Sequence, residues 1–255
     1  MNRKARFAAA LAALAIAGAT SAAAEWRWSI TPYVWATDVG IDVSVDDRQM
    51  IDETISIQEL IEDLDTIAQV RFEAQNGAHG LFVDLFDVNL SDDETTVPLP
   101  SGTGEATFRP EMGMTILDLG AIYDPQGDQR GFQLLYGARV LDQRATIDAE
   151  IRRVDGGTEA REIEIHDTLV DALVGFRYIR PLGQRFTLQV KADVSTGGTE
   201  LTWSAGPTFG YTFGRSDRYT AFAGYRHMVV DFDTAEGVDA EMTLSGFVAG
   251  MRFSF

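Results

Sequence analysis

Apolar and polar residues alternate with a period of two along most of the chain after residue 25. Between Leu201 and Phe213 every odd position is apolar, and every even position is serine, threonine or glycine. This periodicity is typical of β-strands that have one apolar and one polar face. Ten segments share it and are predicted to be strands: 26–37, 66–76, 79–90, 110–124, 132–145, 167–181, 184–196, 199–214, 217–232 and 241–255.

The connections between these segments alternate in length. Short turns are predicted at 76–79, 124–130, 180–185 and 214–218, and long acidic stretches at 38–65, 91–109, 146–166 and 233–240; the turn at 195–199 is the short exception. Each segment reaches the roughly 9–11 residues that a tilted membrane-spanning strand needs. Short periplasmic turns and long outer loops are typical of outer-membrane barrels with an even number of strands. The pattern therefore predicts an all-β, antiparallel, up-and-down transmembrane β-barrel of about ten strands, with both termini in the periplasm.

Two alternatives follow from the same pattern. The stretches 40–46 and 147–164 could extend neighbouring strands or form another hairpin, so eight or twelve strands are also compatible with the sequence. A secreted β-sandwich or lipocalin-like barrel would alternate equally well, with its apolar face turned inward. Aromatic residues near strand ends, together with glycine, threonine, arginine and aspartate on the opposite face, favour the membrane barrel.

The first long connection contains a helical pattern. Ser56 and Glu59 have the spacing of a capping box, and four apolar residues follow at helical spacing: Ile57, Leu60, Ile61 and Leu64. We expect a short amphipathic helix over 56–65. It would act as a lid on the barrel mouth, pack at the lipid boundary, or bind a partner and gate the lumen.

The N-terminus has the features of a secretory signal peptide. Three basic residues precede an apolar run at 7–18, and an Ala-x-Ala sequence ends at Ala24. The run is shorter than the roughly 20 residues of a spanning helix. We predict cleavage after Ala24, which divides the chain into a signal peptide at 1–24 and a barrel domain at 25–255.

Charge and cysteine content exclude several functions. Removal of the predicted signal peptide changes the formal net charge from −18 to −21, because that segment holds three basic and no acidic residues. Such a charge disfavours nucleic-acid binding. The chain has no cysteine, so disulfides, thiolate catalysis and cysteine-ligated metals are excluded. Acidic pairs such as Asp46-Asp47 and Asp92-Asp93 would lie near anionic outer-leaflet lipids, which predicts bridging divalent cations.

A Gly-x-Arg unit recurs in four predicted strands, beginning at Gly137, Gly175, Gly224 and Gly250. Glycine and arginine share the polar face each time, so the glycine leaves room for the long side chain inside a narrow barrel. Arginines that face carboxylates would form an ion-paired plug. The predicted lumen-lining residues are Arg71, Glu73, Asp84, Asp118, Arg139, Asp171, Arg177, Lys191, Asp193, Arg226 and Arg252.

The chain resembles a family of poorly characterised proteobacterial outer-membrane β-barrel proteins, similar in architecture to the OmpA/OmpX/OmpW-type small barrels. The segments that carry the resemblance are "ITPYVWATDV", "RFEAQNGAHGLFVDL", "DALVGFRYIRPLGQRF", "ELTWSAGPTFGYTF", "AFAGYRHMVVDFD" and "SGFVAGMRFSF". It implies a fold and an outer-membrane location in a Gram-negative bacterium, because the family's activity is largely undefined. It also implies that the C-terminal pattern is read by the barrel-assembly machinery, through Phe247, Met251, Phe253 and Phe255.

Three functions are compatible with this sequence. The first is a structural or surface-interaction protein with a plugged lumen, a monomer in contact with outer-membrane lipid and lipopolysaccharide. The second is a narrow porin that favours anions, because of its interior arginines. The third is a rim hydrolase acting on lipid A or peptide through His166-Asp167 beside Asp231. We assign no catalytic, cofactor-binding or metal-ligating residue and expect no enzymatic activity, because no diagnostic motif occurs.

Overall fold

The computed structural model describes residues 26–45, 48–58, 64–91, 95–98, 104–153, 158–214, 217–232 and 238–255. Twelve strands in these ranges form one sheet: β1 (Arg27–Val45), β2 (Arg48–Ile55), β3 (Leu64–Asn76), β4 (His79–Ser91), β5 (Thr95–Pro98), β6 (Gly104–Tyr123), β7 (Gly131–Arg153), β8 (Thr158–Pro181), β9 (Phe186–Thr196), β10 (Leu201–Phe213), β11 (Tyr219–Phe232) and β12 (Val238–Ser254). In the described part of the chain, no helix has the length and apolar character needed to cross a membrane.

Ten of the strands close into an antiparallel barrel, as predicted. Consecutive barrel strands pair with each other, and β12 closes the barrel by pairing with β1 from Ser29↔Ser254 to Val45↔Val238. The two remaining strands lie in the first two long connections, where β2 pairs with β1 and β5 pairs with β6. Closure leaves the barrel wall without an unpaired edge.

The two ends of the barrel differ. At the turn end, both ends of the described chain meet, with Phe255 N donating to Trp28 O at 2.9 Å. Short turns at 77–78, 124–130 and 182–185 join barrel strands there. The opposite end, the loop end, carries the two longest connections, between β1 and β3 and between β4 and β6. The predicted long loops at 146–166 and 233–240 are short instead, because the strands on either side extend into them. Strand pairing there continues further than predicted, since β7 and β8 stay paired out to Arg152↔Thr158. A ladder of backbone hydrogen bonds does not require apolar alternation, which explains why the pattern underestimated these strands.

The outer face of the barrel is apolar and exposed. Phe247 is 74% exposed and Phe209 is 57% exposed. Aromatic rings form a row around the turn end, in which Phe186 contacts Tyr211 at 5.1 Å between ring centroids and Tyr219 contacts Phe253 at 5.9 Å. Such an aromatic girdle beside an apolar band is typical of lipid-facing barrels. A soluble barrel or sandwich would bury this face, so that alternative is excluded.

Several sequence predictions fall on residues outside the described ranges. The signal peptide at 1–24 and the acidic pairs at 46–47 and 92–93 lie there entirely. The predicted helix over 56–65 lies there in part, because residues 59–63 are not described. All three stay predictions.

Inward glycines allow the strands to approach closely at specific points. A Cβ at Gly246 would overlap the Ala36 carbonyl oxygen, whereas a Cβ at Gly40 would come no closer than 3.6 Å to Thr243 Cβ. Both glycines lie in the β1–β12 pair. We therefore expect Gly246→Ala to destabilise the folded barrel by about 1–3 kcal/mol, because the backbone must shift. Gly40→Ala is the matched control and should be close to neutral.

Urea unfolding of the refolded protein, followed by tryptophan fluorescence, measures both variants. Equal unfolding midpoints for Gly246→Ala and Gly40→Ala would contradict the close approach of β1 and β12 at Gly246 and Ala36.

Candidate functional site: the barrel lumen

The loop-end half of the lumen contains a large cluster of apolar side chains. We call this group the apolar plug; its buried members are Trp35, Phe86, Ile116, Leu141, Met228, Val230, Met242, Leu244 and Val248. Met228 and Val230 have no exposed surface, and Trp35 packs edge-on against Phe86 with 5.4 Å between ring centroids. Apolar side chains packed in this way disfavour water in this part of the lumen. The alternation predicted an inner face that is polar along its whole length. That prediction is wrong for the loop-end half, where the plug is apolar.

A buried ion-pair network centred on Glu73 lies beside the plug. Arg177 binds the Glu73 carboxylate through both Nη atoms, and Arg71 Nε donates to the same carboxylate. Arg71 Nη1 also donates to Asp84 Oδ2 at 2.9 Å. Tyr33 Oη donates to the second Asp84 oxygen at 2.8 Å. Two arginines and two carboxylates thus neutralise each other inside the barrel.

A second network is centred on Arg139. Its Nε and Nη2 atoms donate to the two Asp118 oxygens at 2.7 and 2.8 Å, and Nη2 also donates to Asp193 Oδ1 at 2.8 Å. Asp193 Oδ2 accepts a hydrogen bond from Ser204 Oγ and lies 3.2 Å from Lys191 Nζ. Arg139 is 1% exposed. The network joins β6, β7, β9 and β10 across the lumen.

Asp171 has a role that differs from the expected ion pair. Its carboxylate accepts hydrogen bonds from the Ser195 and Thr199 hydroxyls and from the backbone N–H groups of Gly198 and Thr199. No arginine is within ion-pair distance of it among the described residues. Asp171 thus fixes the β9–β10 turn at the loop end.

The turn-end half of the lumen contains a chamber of about 560 Å³. The chamber lies mainly against β9 to β12, where several lining residues are small: Thr187, Gly206, Thr208, Gly210, Thr212 and Thr220. Its entrance is formed by turn-end residues such as Arg27, Arg130 and Arg185. On the opposite wall, Phe82, Ile122, Leu135 and Leu173 pack together and occupy the space. The chamber is therefore one-sided and opens at the turn end.

Five of the predicted lumen cations line the chamber: Arg71, Arg177, Lys191, Arg226 and Arg252. Arg226 stacks over the Trp35 ring, with its Cζ atom 4.4 Å from the ring centroid, and Arg252 also faces the chamber. Within the described ranges neither arginine forms an ion pair. Lys191 is paired with Asp193. The structure thus places all eleven predicted lumen residues on the inner face, but pairs only some of the cations.

The histidine cluster considered for a rim hydrolase is arranged differently. His166 Nε2 lies 2.9 Å from Asp142 Oδ2, which also accepts from Thr168 Oγ1 at 2.7 Å. These residues face outward, one position beyond the apolar band. Partial burial raises the pKa of Asp142, but the hydrogen bonds from His166 and Thr168 outweigh it and hold that pKa below its usual range. Asp231 lies on β11, with β9 and β10 between it and His166, so the predicted pair is not formed.

His227 also faces outward, where it contacts Ser245 and the Trp203 ring. Among the residues that the structure describes, no group of three or more histidine or acidic side chains is placed to hold a metal ion. The lumen, rather than the rim, is therefore the candidate site.

The closed ten-stranded wall, the apolar outer face and the aromatic girdle identify the architecture. This is the fold of an outer-membrane β-barrel. No protein-family model matches the chain, and no curated protein matches it either.

Solved structures with a similar fold include three barrels from Gram-negative bacteria. The outer membrane protease OmpT from Escherichia coli is 10% identical with a TM-score of 0.49, over 93% of this chain and 99% of that one. Ail, the attachment invasion locus protein of Yersinia pestis, is 12% identical with a TM-score of 0.31, over 90% and 99%. The Pseudomonas putida toluene transporter TodX is 12% identical with a TM-score of 0.34, over 91% and 90%. The likeness concerns the fold alone.

Proposed function

We propose that this protein is a closed outer-membrane β-barrel with a structural or surface-interaction role and no enzymatic activity. The observation that carries the proposal is the apolar plug, a buried cluster inside the barrel at the loop end. The buried networks of Glu73 and Arg139 add a second layer of fixed side chains beneath it. By the usual arrangement of such barrels, the short turns face the periplasm and the loop end faces outward.

The loop end offers a surface for interaction. Pairing of β8 with β9 ends at Ala172↔Thr196, whereas pairing with β7 continues to Arg152↔Thr158. Over residues 158–169 the other edge of β8 therefore has no neighbouring strand in the described part of the chain. An exposed strand edge presents backbone donors and acceptors to which another chain can add a strand. This edge supports a surface-interaction role.

A narrow anion-favouring porin is the second candidate, and the turn-end chamber is the observation in its favour. The chamber is lined by Arg226, which stacks on Trp35 of the plug, so it extends from the turn end toward the plug. Conduction would require the plug to move aside.

Single-channel recording in planar bilayers distinguishes the two candidates. We expect the refolded wild-type protein to produce no conductance steps, since the plug is apolar and close-packed. Heat-modifiable migration in gels should confirm, in the same preparation, that the barrel is folded. Discrete, anion-selective steps that change with Arg226→Gln would instead establish the porin.

A further inference from the structure

Two of the six predicted lumen cations have no carboxylate at ion-pair distance among the described residues, although the net charge of the chain is −18. Four of the inward cations are matched by four carboxylates at ion-pair distance; the cations are Arg71, Arg139, Arg177 and Lys191, and the carboxylates are Glu73, Asp84, Asp118 and Asp193. The remaining two, Arg226 and Arg252, have no such partner among the described residues. Both line the turn-end chamber.

The unpaired arginines lie where water is partly excluded. Arg226 has the Trp35 ring on one side, and its Nη2 lies 3.9 Å from Met228 Sδ. Arg252 is near Glu73, but Arg71 and Arg177 already bind that carboxylate. A guanidinium carries five N–H donors, and a thioether or an aromatic face satisfies them poorly. Oxyanions accept such donors in pairs, with matching planar geometry.

Two carboxylates, Glu73 and Asp84, also line the chamber, and each is paired with an arginine, Arg71 or Arg177. The other walls carry hydroxyl groups that can bind an oxyanion. Threonine hydroxyls line it at Thr31, Thr187, Thr208, Thr212 and Thr220. Each can donate a hydrogen bond to an anion oxygen. The volume of about 560 Å³ lies within the range of small-molecule sites.

The entrance combines three arginines with two acids. Arg27, Arg130 and Arg185 line it together with Asp128 and Asp217. Arg27 donates to the Gly127 carbonyl oxygen and Arg185 to Tyr211 Oη, so neither of these arginines is committed to a carboxylate among the described residues. The excess of cations at the entrance would draw anions toward the chamber.

We propose that the chamber binds a small oxyanion with two or more negative charges, such as a phosphate compound, which enters from the turn end. Arg226 and Arg252 bind the anion, and the threonine hydroxyls complete its hydrogen bonding. This site goes beyond the proposed function, because a barrel closed at the loop end can hold a ligand without conducting it. Conductance tests closure and titration tests binding, so the two can fail separately.

Calorimetric titration with inorganic pyrophosphate tests the proposal. The full mature protein is refolded in zwitterionic detergent at low ionic strength, so that no anionic lipid competes. We expect one binding site whose affinity falls as salt is added. Arg226→Gln and Arg252→Gln should each weaken binding by about tenfold or more, since each removes a charge-assisted donor pair. Arg144→Gln is the matched control, because Arg144 is exposed at the loop end and pairs with Asp142, and it should leave affinity unchanged.

Arg226→Gln and Arg252→Gln could lose binding because they fold poorly. A second variant therefore tests the site without changing either arginine. The chain has no native cysteine, so Thr208→Cys can be alkylated with a bulky maleimide after the barrel has folded. Alkylation should abolish pyrophosphate binding by filling the chamber. The proposal is overturned if the wild type does not bind pyrophosphate, if Arg144→Gln loses as much affinity as the chamber variants, or if alkylated Thr208→Cys binds as the wild type does.

Discussion

Replacing Arg139 with leucine should lower the free energy of unfolding by about 3–5 kcal/mol, the usual cost of removing one partner of a buried ion pair. Arg139 neutralises Asp118 and shares Asp193 with Lys191. Both aspartates are almost fully buried. Without the guanidinium, the Asp118 carboxyl would be buried with no cation at ion-pair distance among the described residues, which costs free energy whether it stays ionised or takes up a proton.

Urea unfolding followed by tryptophan fluorescence measures this loss. The control is Arg144→Leu, which removes an exposed arginine from a pair with Asp142 and should cost at most about 1 kcal/mol. Changing Asp118→Asn together with Arg139→Leu should restore part of the stability, because the stranded charge is gone. If Arg139→Leu and Arg144→Leu were equally stable, the buried network would not hold the barrel together.

The second large effect is expected from the plug. Removing two of its side chains, by Trp35→Ala and Met228→Ala together, should convert a silent barrel into a conducting one. Trp35 is a buried member of the plug, and its loss also frees Arg226, which stacks on it. The resulting pore should favour anions, since Arg226 and Arg252 would line it.

Planar-bilayer recording measures this change, with gel migration as the check for a folded barrel. Trp203→Ala is the matched control, because Trp203 lies on β10 facing outward against His227. That variant should remain silent. A folded Trp35→Ala, Met228→Ala barrel that stays silent would show that the ion-pair networks alone close the lumen.

The fold was predictable because lipid imposes a strict rule on each spanning strand. Its outward residues must be apolar, so segments such as 201–213 alternate without exception. Beyond the lipid this rule no longer applies, while backbone pairing continues in water. The extensions of β7 and β8 past Leu141 and Leu169 therefore left a weak pattern.

The lumen was only partly predictable. The alternation of odd and even positions along each strand indicated which charged residues face inward. It does not indicate which carboxylate a given arginine reaches across the barrel. Asp171 binds a turn, and Arg226 binds no carboxylate at all among the described residues. In the sequence, the plug is indicated only by a loss of alternation. Residues 228–230 read Met-Val-Val, and Phe82 and Phe86 share the inward face with Asp84. Apolar residues on both faces of a barrel strand indicate a dry section of the lumen.

Thiol labelling of single-cysteine variants tests the central claim most directly, namely a lumen that is open at the turn end and sealed at the loop end. Thr208→Cys lies in the chamber and Val230→Cys lies in the plug, on neighbouring strands and both facing inward. In lipid nanodiscs, with a small water-soluble thiol reagent, we predict that the cysteine at 208 reacts and that the cysteine at 230 does not. Equal labelling of the two would mean a continuous water path through the barrel and would contradict this account.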